Sequence, residues 1–414
     1  MKRVHAILLL CTVTLLLGNS LPAAEWPEFH GPDRSNRSPA AGLLNAWPQK
    51  GPRLLWTAEG CGEGFATVAI AGNRLYTAGR KGDAMAVVAF DRRGTKIWET
   101  DNGSAWSKGH PGSRATPTIA GGRCYHLSGV GRLVCLDAAS GRPIWNKNIL
   151  EVFGAENIQW GLAESVLVTD GKVVCTPGGR RGAVVALDPD TGKTLWAMDR
   201  VEEKAGYCSP VRASIHGTPT VVTLLAESVV GVELATGRLL WRFPHKTKYD
   251  VNCATPIVRG DRVLVSTGYG SGSVLLRIQR RGNRWQAGKV WENKQLDNHH
   301  GGLVYDRGRV YGTGHATGKG AWFCLDFDSG RAHYRERGIG KGTATYADGM
   351  LYCLSERGVM ALVPANPKAF QPVSRFTLPK QGKGPFWAHP VVLDGRLYVR
   401  HGDFLYAYDV AAKK

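Results

Sequence analysis

Five times along this chain a glycine stands four positions ahead of an aromatic residue in the same local setting. The pairs are Gly94 with Trp98, Gly141 with Trp145, Gly192 with Trp196, Gly237 with Trp241, and Gly330 with Tyr334. Residues 135–145 and 186–196 share more than that spacing. Each passes from a short apolar stretch through Leu-Asp (Leu136–Asp137, Leu187–Asp188) into a turn of small residues, and then to the aromatic. Recurrence at roughly 40–50 residues marks one supersecondary unit used many times along the chain.

The upstream half of the unit recurs as well. Residues 116–125, 255–263 and 389–398 each place β-branched residues before a Gly- or Asp-rich turn and apolar or aromatic ones after it, which is a hairpin signal. No segment beyond the first two dozen residues shows a sustained helical period with caps. The unit therefore reads as four short antiparallel strands: two before a Gly-rich turn, a third ending in Leu-Asp, and a fourth ending in the aromatic. In the last turn the Asp carboxylate accepts backbone N–H bonds and the glycine supplies a positive φ. The aromatic buries about 200 Å² and docks one sheet on the next.

Four-stranded units arranged radially make an all-β propeller. Docking aromatics at Trp56, Trp98, Trp145, Trp196, Trp241, Trp291 and Tyr334, with a weaker one near Phe376, predict eight blades. The last repeat, from Trp387 to Tyr408, lacks a fourth strand. Leu54–Leu55–Trp56 is a fourth strand with nothing before it. Joining the two closes the ring and removes the exposed edges. A seven-bladed ring or an open array is the alternative.

Residues 1–24 read as a signal peptide outside the fold. Lys2 and Arg3 precede an apolar run from Ala6 to Leu17, and small or helix-breaking residues follow as far as Ala24. That run is shorter than the about 20 apolar residues of a membrane span, and no later stretch approaches that length. Residues 25–52 read as an N-terminal extended arm and 53–414 as the propeller. A periplasmic or secreted monomer is expected. Of the nine cysteines, Cys11 lies in the leader, and the other eight form no CxxC or adjacent pair. Cys135 and Cys324 hold the same place in two repeats, as small buried hydrophobes do. A strained bridge between Cys124 and Cys135 is the other reading. The formal charge of +19 draws a protein to anionic glycans, lipid head groups or cell-wall polymers. Export argues against nucleic acid as a partner.

The string Ala-Leu-Asp-x-x-Thr-Gly-Lys-x-x-Trp at 186–196 resembles the pyrroloquinoline-quinone (PQQ) repeat of the quinoprotein alcohol dehydrogenase-like propellers. The likeness covers nearly all of the chain beyond the leader. It implies an eight-bladed fold in which Trp145, Trp196 and Trp241 pack between neighbouring blades. Within that family the chain is similar to non-enzymatic members such as the propeller lipoprotein of the outer-membrane assembly machine. It also resembles exported single propellers that open with Trp-Pro-x-x-x-Gly-Pro, here Trp26 to Pro32. The family's dehydrogenases bind the quinone with Ca²⁺ and carry two adjacent cysteines and a catalytic aspartate. This sequence has no Cys–Cys pair and no CxxCH haem site. The resemblance therefore implies no catalytic site and no cofactor, with a PQQ- and Ca²⁺-dependent oxidoreductase as the alternative.

Residues just before each blade's first strand should surround the mouth of the central channel. They are His110 and Arg114, Trp160 and Glu164, Arg212 and His216, Asn252, His299 and His300, and Trp387 and His389. Aromatic faces with hydrogen-bonding cations suit an anionic or sugar-like ligand. Simple hydration of the channel is the plain alternative. His299 and His300 do not predict a chelate, because neighbours on an extended segment point opposite ways. The Asp-rich strings at 188–192 and 326–330 are turns, since they lack the later glutamate of a calcium loop. The expected function is an exported scaffold or binding propeller that holds an envelope protein or an anionic glycan at its mouth.

Overall fold

The three hairpin signals become paired strands, Thr118–Ala120 with Arg123–Leu127, Ile257–Arg259 with Arg262–Thr267 and Val391–Leu393 with Arg396–His401. Thirty-two strands form eight four-stranded antiparallel sheets in the computed structural model, which describes residues 24–198 and 201–412. Blade 1 spans residues 69–104, blade 2 118–148, blade 3 167–197, blade 4 211–244, blade 5 257–293, blade 6 304–336 and blade 7 342–377. Blade 8 takes three strands from 391–409 and its fourth, Arg53–Glu59, from the other end of the chain. Arg53 pairs with Asp409 and Glu59 with Phe404, so the ring closes as expected. The expected signal peptide lies outside the described residues, apart from Ala24. One single-turn helix, Ile149–Phe153, interrupts the strands. Asn148 caps it by accepting from Leu150 N at 3.1 Å, and at five residues it is too short to show a period.

The aromatics hold sheet to sheet. Trp196 of blade 3 is 8% exposed and lies on Gly237 in the last turn of blade 4. Its indole Nε1 donates to Leu234 O of that turn at 3.0 Å. A Cβ on Gly237, whose φ is +78°, would sit 2.5 Å from Trp196 Cε3. The same indole-to-carbonyl bond joins Trp56 to Arg92 (3.0 Å), Trp98 to Ala138 (3.1 Å), Trp145 to Pro189 (2.9 Å) and Trp291 to Phe327 (3.0 Å). Trp241 departs from the pattern. Blade 5 has a long hairpin, Gly272–Arg281 with Arg284–Asn293, in place of the short turn, and Trp241 Nε1 is buried without a partner. The turn aspartates behave as read. Asp188 Oδ1 accepts from Thr191 N at 2.8 Å, and Asp137 Oδ1 from Ser140 N at 2.7 Å. With the hydroxyls of the same two residues, these bonds hold both carboxyls below the usual range.

One expectation needs correction, and one alternative falls. The aromatic does not end its strand: Trp98, Trp145, Trp196, Trp241 and Tyr334 are each the third residue of the fourth strand. A β-bulge just before it is the reason. In blade 3, Leu187 pairs with Thr194 and Ala186 with Trp196, so Leu195 is skipped. The extra residue re-aims the indole toward the next blade. The bridge between Cys124 and Cys135 is also excluded. Cys124 pairs with Leu136 and Tyr125 with Cys135, which turns the two thiols to opposite faces of the sheet. All eight cysteines from Cys61 to Cys353 are free, and all but Cys253 are buried.

Residues 25–44 run into the channel from the hairpin-turn side and back out. Trp26 exchanges backbone bonds with Ile70 in blade 1, and Pro27 O accepts from Ile119 N in blade 2 at 2.7 Å. Arg34 is 4% exposed and donates to Ser165 O (2.8 Å), Val166 O (2.5 Å) and Pro210 O (2.8 Å), at blades 3 and 4. Its Nε meets Glu28 Oε2 at 2.6 Å. Arg37 reaches Tyr305 O and Asp306 in blade 6, Asn36 reaches Ala344 O in blade 7, and Ser38 reaches Val392 O in blade 8.

Trp196→Ala should cost about 3–5 kcal/mol. Gly237→Ala should also destabilise, but should add little beyond its backbone strain once the indole is gone. Denaturant unfolding of both singles and the double variant reads this coupling. Additive losses would show that the indole does not rest on the turn.

Candidate functional site

The segments that lead into the first strands converge on a cavity of ≈ 350 Å³ at the channel mouth. Every blade contributes at least one wall position, among them Phe65, Arg114, Ser165, Ser209, Cys253, His300, Lys341 and His389 in blade order. Tyr269 and His315 reach the cavity from the loops between second and third strands, and Phe29 enters it from the arm. The wall is largely aromatic. His110 packs against Trp387 (ring centroids 4.6 Å), Trp387 against His300 (4.5 Å), and His299 against His315 (4.8 Å). Tyr269 stands edge-on to both His299 (5.0 Å) and His315 (4.8 Å).

Arg114 is the charge that shapes this cavity. Its guanidinium donates to Trp160 O and to His110 O (3.3 Å), while Nε has no partner and no carboxylate forms an ion pair with it among the described residues. Burial pushes it down to about 10, so it remains a cation at neutral pH. Lys341 is differently placed, bonded to Glu356 Oε1 at 2.9 Å and His315 Nδ1 at 3.1 Å. That Glu356 oxygen also accepts from His300 Nε2 (2.8 Å) and Trp387 Nε1 (2.5 Å). Asp297 is fully buried and accepts five backbone N–H bonds, from Gly270, His315, Ala316, Thr317 and Gly318, at 2.8–3.0 Å. It thereby fixes the two loops that carry Tyr269 and His315.

Burial holds the site histidines toward their neutral form. His389 Nδ1 lies 2.9 Å from His30 Nε2, and its own Nε2 lies 2.8 Å from His300 O. A backbone carbonyl only accepts, so His389 carries its proton on Nε2 and receives one from His30 at Nδ1. Both ring nitrogens of His299, and Nδ1 of His300, are buried without a partner. Burial pushes His299 down to about 3 and His389 to about 4. Cys253, pushed up to about 12 by burial, is a thiol and not a nucleophile.

Of the residues expected at the mouth, His110, Arg114, Trp160, His299, His300, Trp387 and His389 line the cavity. The other four do not. Glu164 is buried behind the wall, bonded to Thr176 N at 2.8 Å. Asn252 is buried too and donates to Leu225 O at 2.8 Å. Arg212 lies within the first strand of blade 4, Val211–Ile215, and pairs with Asp170 at 2.9 Å. His216 sits in the turn after that strand, its Nε2 2.7 Å from Ile278 O. For Arg212 and His216 the cause is a false register. Thr218–Pro219 mimics the Thr116–Pro117 and Thr255–Pro256 blade starts, yet it belongs to the second strand, Thr218–Leu224. Phe29, Tyr269 and His315 were missed because none of them precedes a first strand, whereas Lys341 does, just before Gly342–Ala347 of blade 7, and was missed because no hairpin was read at that blade's start.

The profile of the family described as outer membrane protein assembly factor BamB matches residues 83–333. The quinoprotein alcohol dehydrogenase PedH of Pseudomonas putida is 28% identical over 185 residues, 43% of this chain and 29% of that protein. The assembly factor BamB of Kangiella koreensis is 25% identical over 194 residues, 46% of this chain and 45% of that protein. The match thus spans less than half the length of these curated relatives. Among solved structures, BamB from Moraxella catarrhalis superposes with TM-score 0.62 at 14% identity, over 86% of this chain and 99% of that one. The quinohemoprotein alcohol dehydrogenase of Comamonas testosteroni superposes with TM-score 0.67 at 15% identity, over 96% and 82%. At such identities the shared property is the propeller itself. No helix among the described residues is long and apolar enough to cross a membrane.

The buried imidazoles set an acid limit. His299 and His389, with His126 (about 3) and His245 (about 4), are pushed down by burial. Unfolded, each takes a proton near pH 6.5. Stability present above that pH is therefore lost below it, at up to about 2 kcal/mol per residue by pH 5. Glu164, pushed up to about 7 by burial, works the other way, because between its unfolded pKa and 7 the folded state holds the extra proton. Four groups outweigh one. The melting temperature should fall from pH 7 to pH 5, and Glu164→Gln should steepen that fall.

Proposed function

The chain belongs to the family of the outer membrane protein assembly factor BamB, the PQQ-like repeat propellers, and we propose that it is an exported binding protein whose mouth cavity holds an anionic, ring-bearing ligand. The carrying observation is Arg114, a half-buried cation with a buried, unpartnered Nε and no paired carboxylate among the described residues, which lines a cavity walled by aromatic rings. A buried charge is stable when a counter-charge meets it, and an anion entering from solvent supplies one. Planar donors of this kind match a carboxylate or phosphate. Tyrosine, tryptophan and imidazole faces cover the ring of a sugar or a planar acid. Export is supported by the leader-like first residues. An envelope protein that presents a carboxylate to Arg114 is the macromolecular alternative to that ligand.

The quinone-and-calcium reading fits only in part. A planar polycarboxylate suits the cationic, aromatic wall. Calcium asks for six to eight oxygen ligands, several of them carboxylates. Here Asp297 is occupied by five backbone N–H groups and Glu356 by three side chains. No group of three or more His, Cys, Asp or Glu able to hold a metal occurs among the described residues. The donor set favours the acid and disfavours the ion, so no oxidation step is assigned.

Thermal shift and titration calorimetry with glucuronate, benzoate, neutral glucose, and PQQ with and without Ca²⁺ test this reading. The acids should bind and glucose should not, and Arg114→Gln should weaken the acids at least tenfold. An anion raises the depressed pKa values of His110 and His315, so binding takes up protons and should strengthen from pH 7.5 to 6. Acid binding unchanged in Arg114→Gln, or dye reduction with PQQ and Ca²⁺, would overturn the proposal.

A further inference from the structure

We infer that the N-terminal arm turns the propeller's channel into a blind cup, so that the site takes one acidic ring, either as a free cyclic acid or as the end of an acidic chain, and not an internal segment. The inference rests on the reading that Arg114 receives an anion, and extends it to the form of the ligand. A propeller channel is ordinarily open along its axis. Here a segment of the chain itself occupies it. Arg34, Asn36, Arg37 and Ser38 bond to carbonyls at five blades, three of them through the almost fully buried guanidinium of Arg34.

The arm is held in a conformation that it would not keep alone. His30, Asp33, Arg34 and Asn36 all have left-handed φ, at 67°, 58°, 54° and 57°. Such residues cost about 1 kcal/mol or more each and persist only where their surroundings over-determine them. The bend places Phe29 and His30 at the top of the plug. Phe29 lines the cavity, stacks on His30 (3.8 Å) and meets His389 edge-on (5.2 Å). The pair His30–His389 then ties the floor to the wall through His300 O. Gly302 leaves room for them, since a Cβ there would meet His389 Cε1 at 2.9 Å and His30 Cε1 at 3.1 Å.

The geometry sets what can be bound. With walls from all eight blades and a floor from the arm, a ligand can leave only through the mouth. An internal residue of a linear polymer needs two exits, one for each neighbour. A cavity of ≈ 350 Å³, at the small end of ligand sites, has room for about one or two six-membered rings. Phe29 is therefore a ligand-contacting residue of the floor, and the aromatic faces above it enclose the ring whose carboxylate Arg114 holds.

Titration calorimetry of the full chain at about 0.3 M salt, where surface attraction to polyanions is screened, tests this with a length series. The probes are glucuronate, a uronate tetrasaccharide and a uronate polymer of about a hundred residues, each also titrated into Arg114→Gln to subtract binding elsewhere. The Arg114-dependent Kd per mole of chains should stay within about threefold across the series. A Kd per mole of chains that tightens in proportion to length would overturn the blind cup while leaving anion binding intact. No Arg114-dependent binding at any length would remove the anion reading and this inference with it. Phe29→Ala, with its melting temperature checked, should weaken glucuronate about tenfold. An unchanged Kd would take the arm out of the site.

Discussion

An indole ring lying on a bare glycine turn is the contact on which this structure depends. A four-stranded blade has two apolar faces and cannot bury both alone. The indole joins one blade to the next by two means at once, apolar cover and a directed bond to a turn carbonyl. Glycine makes the approach feasible, because at Gly237 a side chain would occupy the space of the Trp196 ring. Blade 5 shows what happens when the turn is lost. Its extended hairpin reaches back to blade 4, where His216 meets Ile278 O and stacks edge-on against Trp285 at 5.9 Å. The joint is kept by other residues, and that gives His216 a structural role.

The second constraint comes from the arm, and its logic differs. The blades repeat, so their contacts repeat, whereas residues 25–44 occur once and must satisfy a channel lined by many different first strands. Long donors answer that problem. Arg34 serves three carbonyls from one guanidinium, and Asn36 and Arg37 do the same work on the opposite side. Left-handed backbone at four positions in seven is the cost of bending sharply enough to enter and leave by one face.

These two kinds of contact explain which parts of the fold are legible in the sequence. The blades were legible because the joint demands a glycine, a turn and an aromatic at fixed spacing. Closure of the ring was legible because Leu54–Leu55–Trp56 had the form of a fourth strand without a blade. The bulge before each indole was not, since skipping Leu195 leaves no mark on the spacing from Gly192 to Trp196. At the mouth, seven residues were found because position relative to a first strand fixes direction. Arg212 and His216 were misplaced where Thr218–Pro219 imitated a blade start. Phe29 could not be placed at all, because nothing in a repeat tells where a unique segment travels. Asp297 reads as one more polar residue until its five N–H partners are seen.

Charge at the mouth follows from how the carboxylates are used, and not from how many cations there are. Asp297 is committed to backbone N–H groups, Glu356 to His300, Lys341 and Trp387, and Glu164 is held near neutrality by burial. None of these three acids forms an ion pair with Arg114, and each holds a loop or a wall instead. The guanidinium keeps its full charge in a place that salt screens poorly. The scattered surface lysines and arginines that give the chain its +19 have neither property, since solvent and counter-ions reach them freely. Selectivity for an anion therefore belongs to the half-buried, unpaired Arg114 and the rings around it, while the basic exterior only raises the local concentration of what arrives.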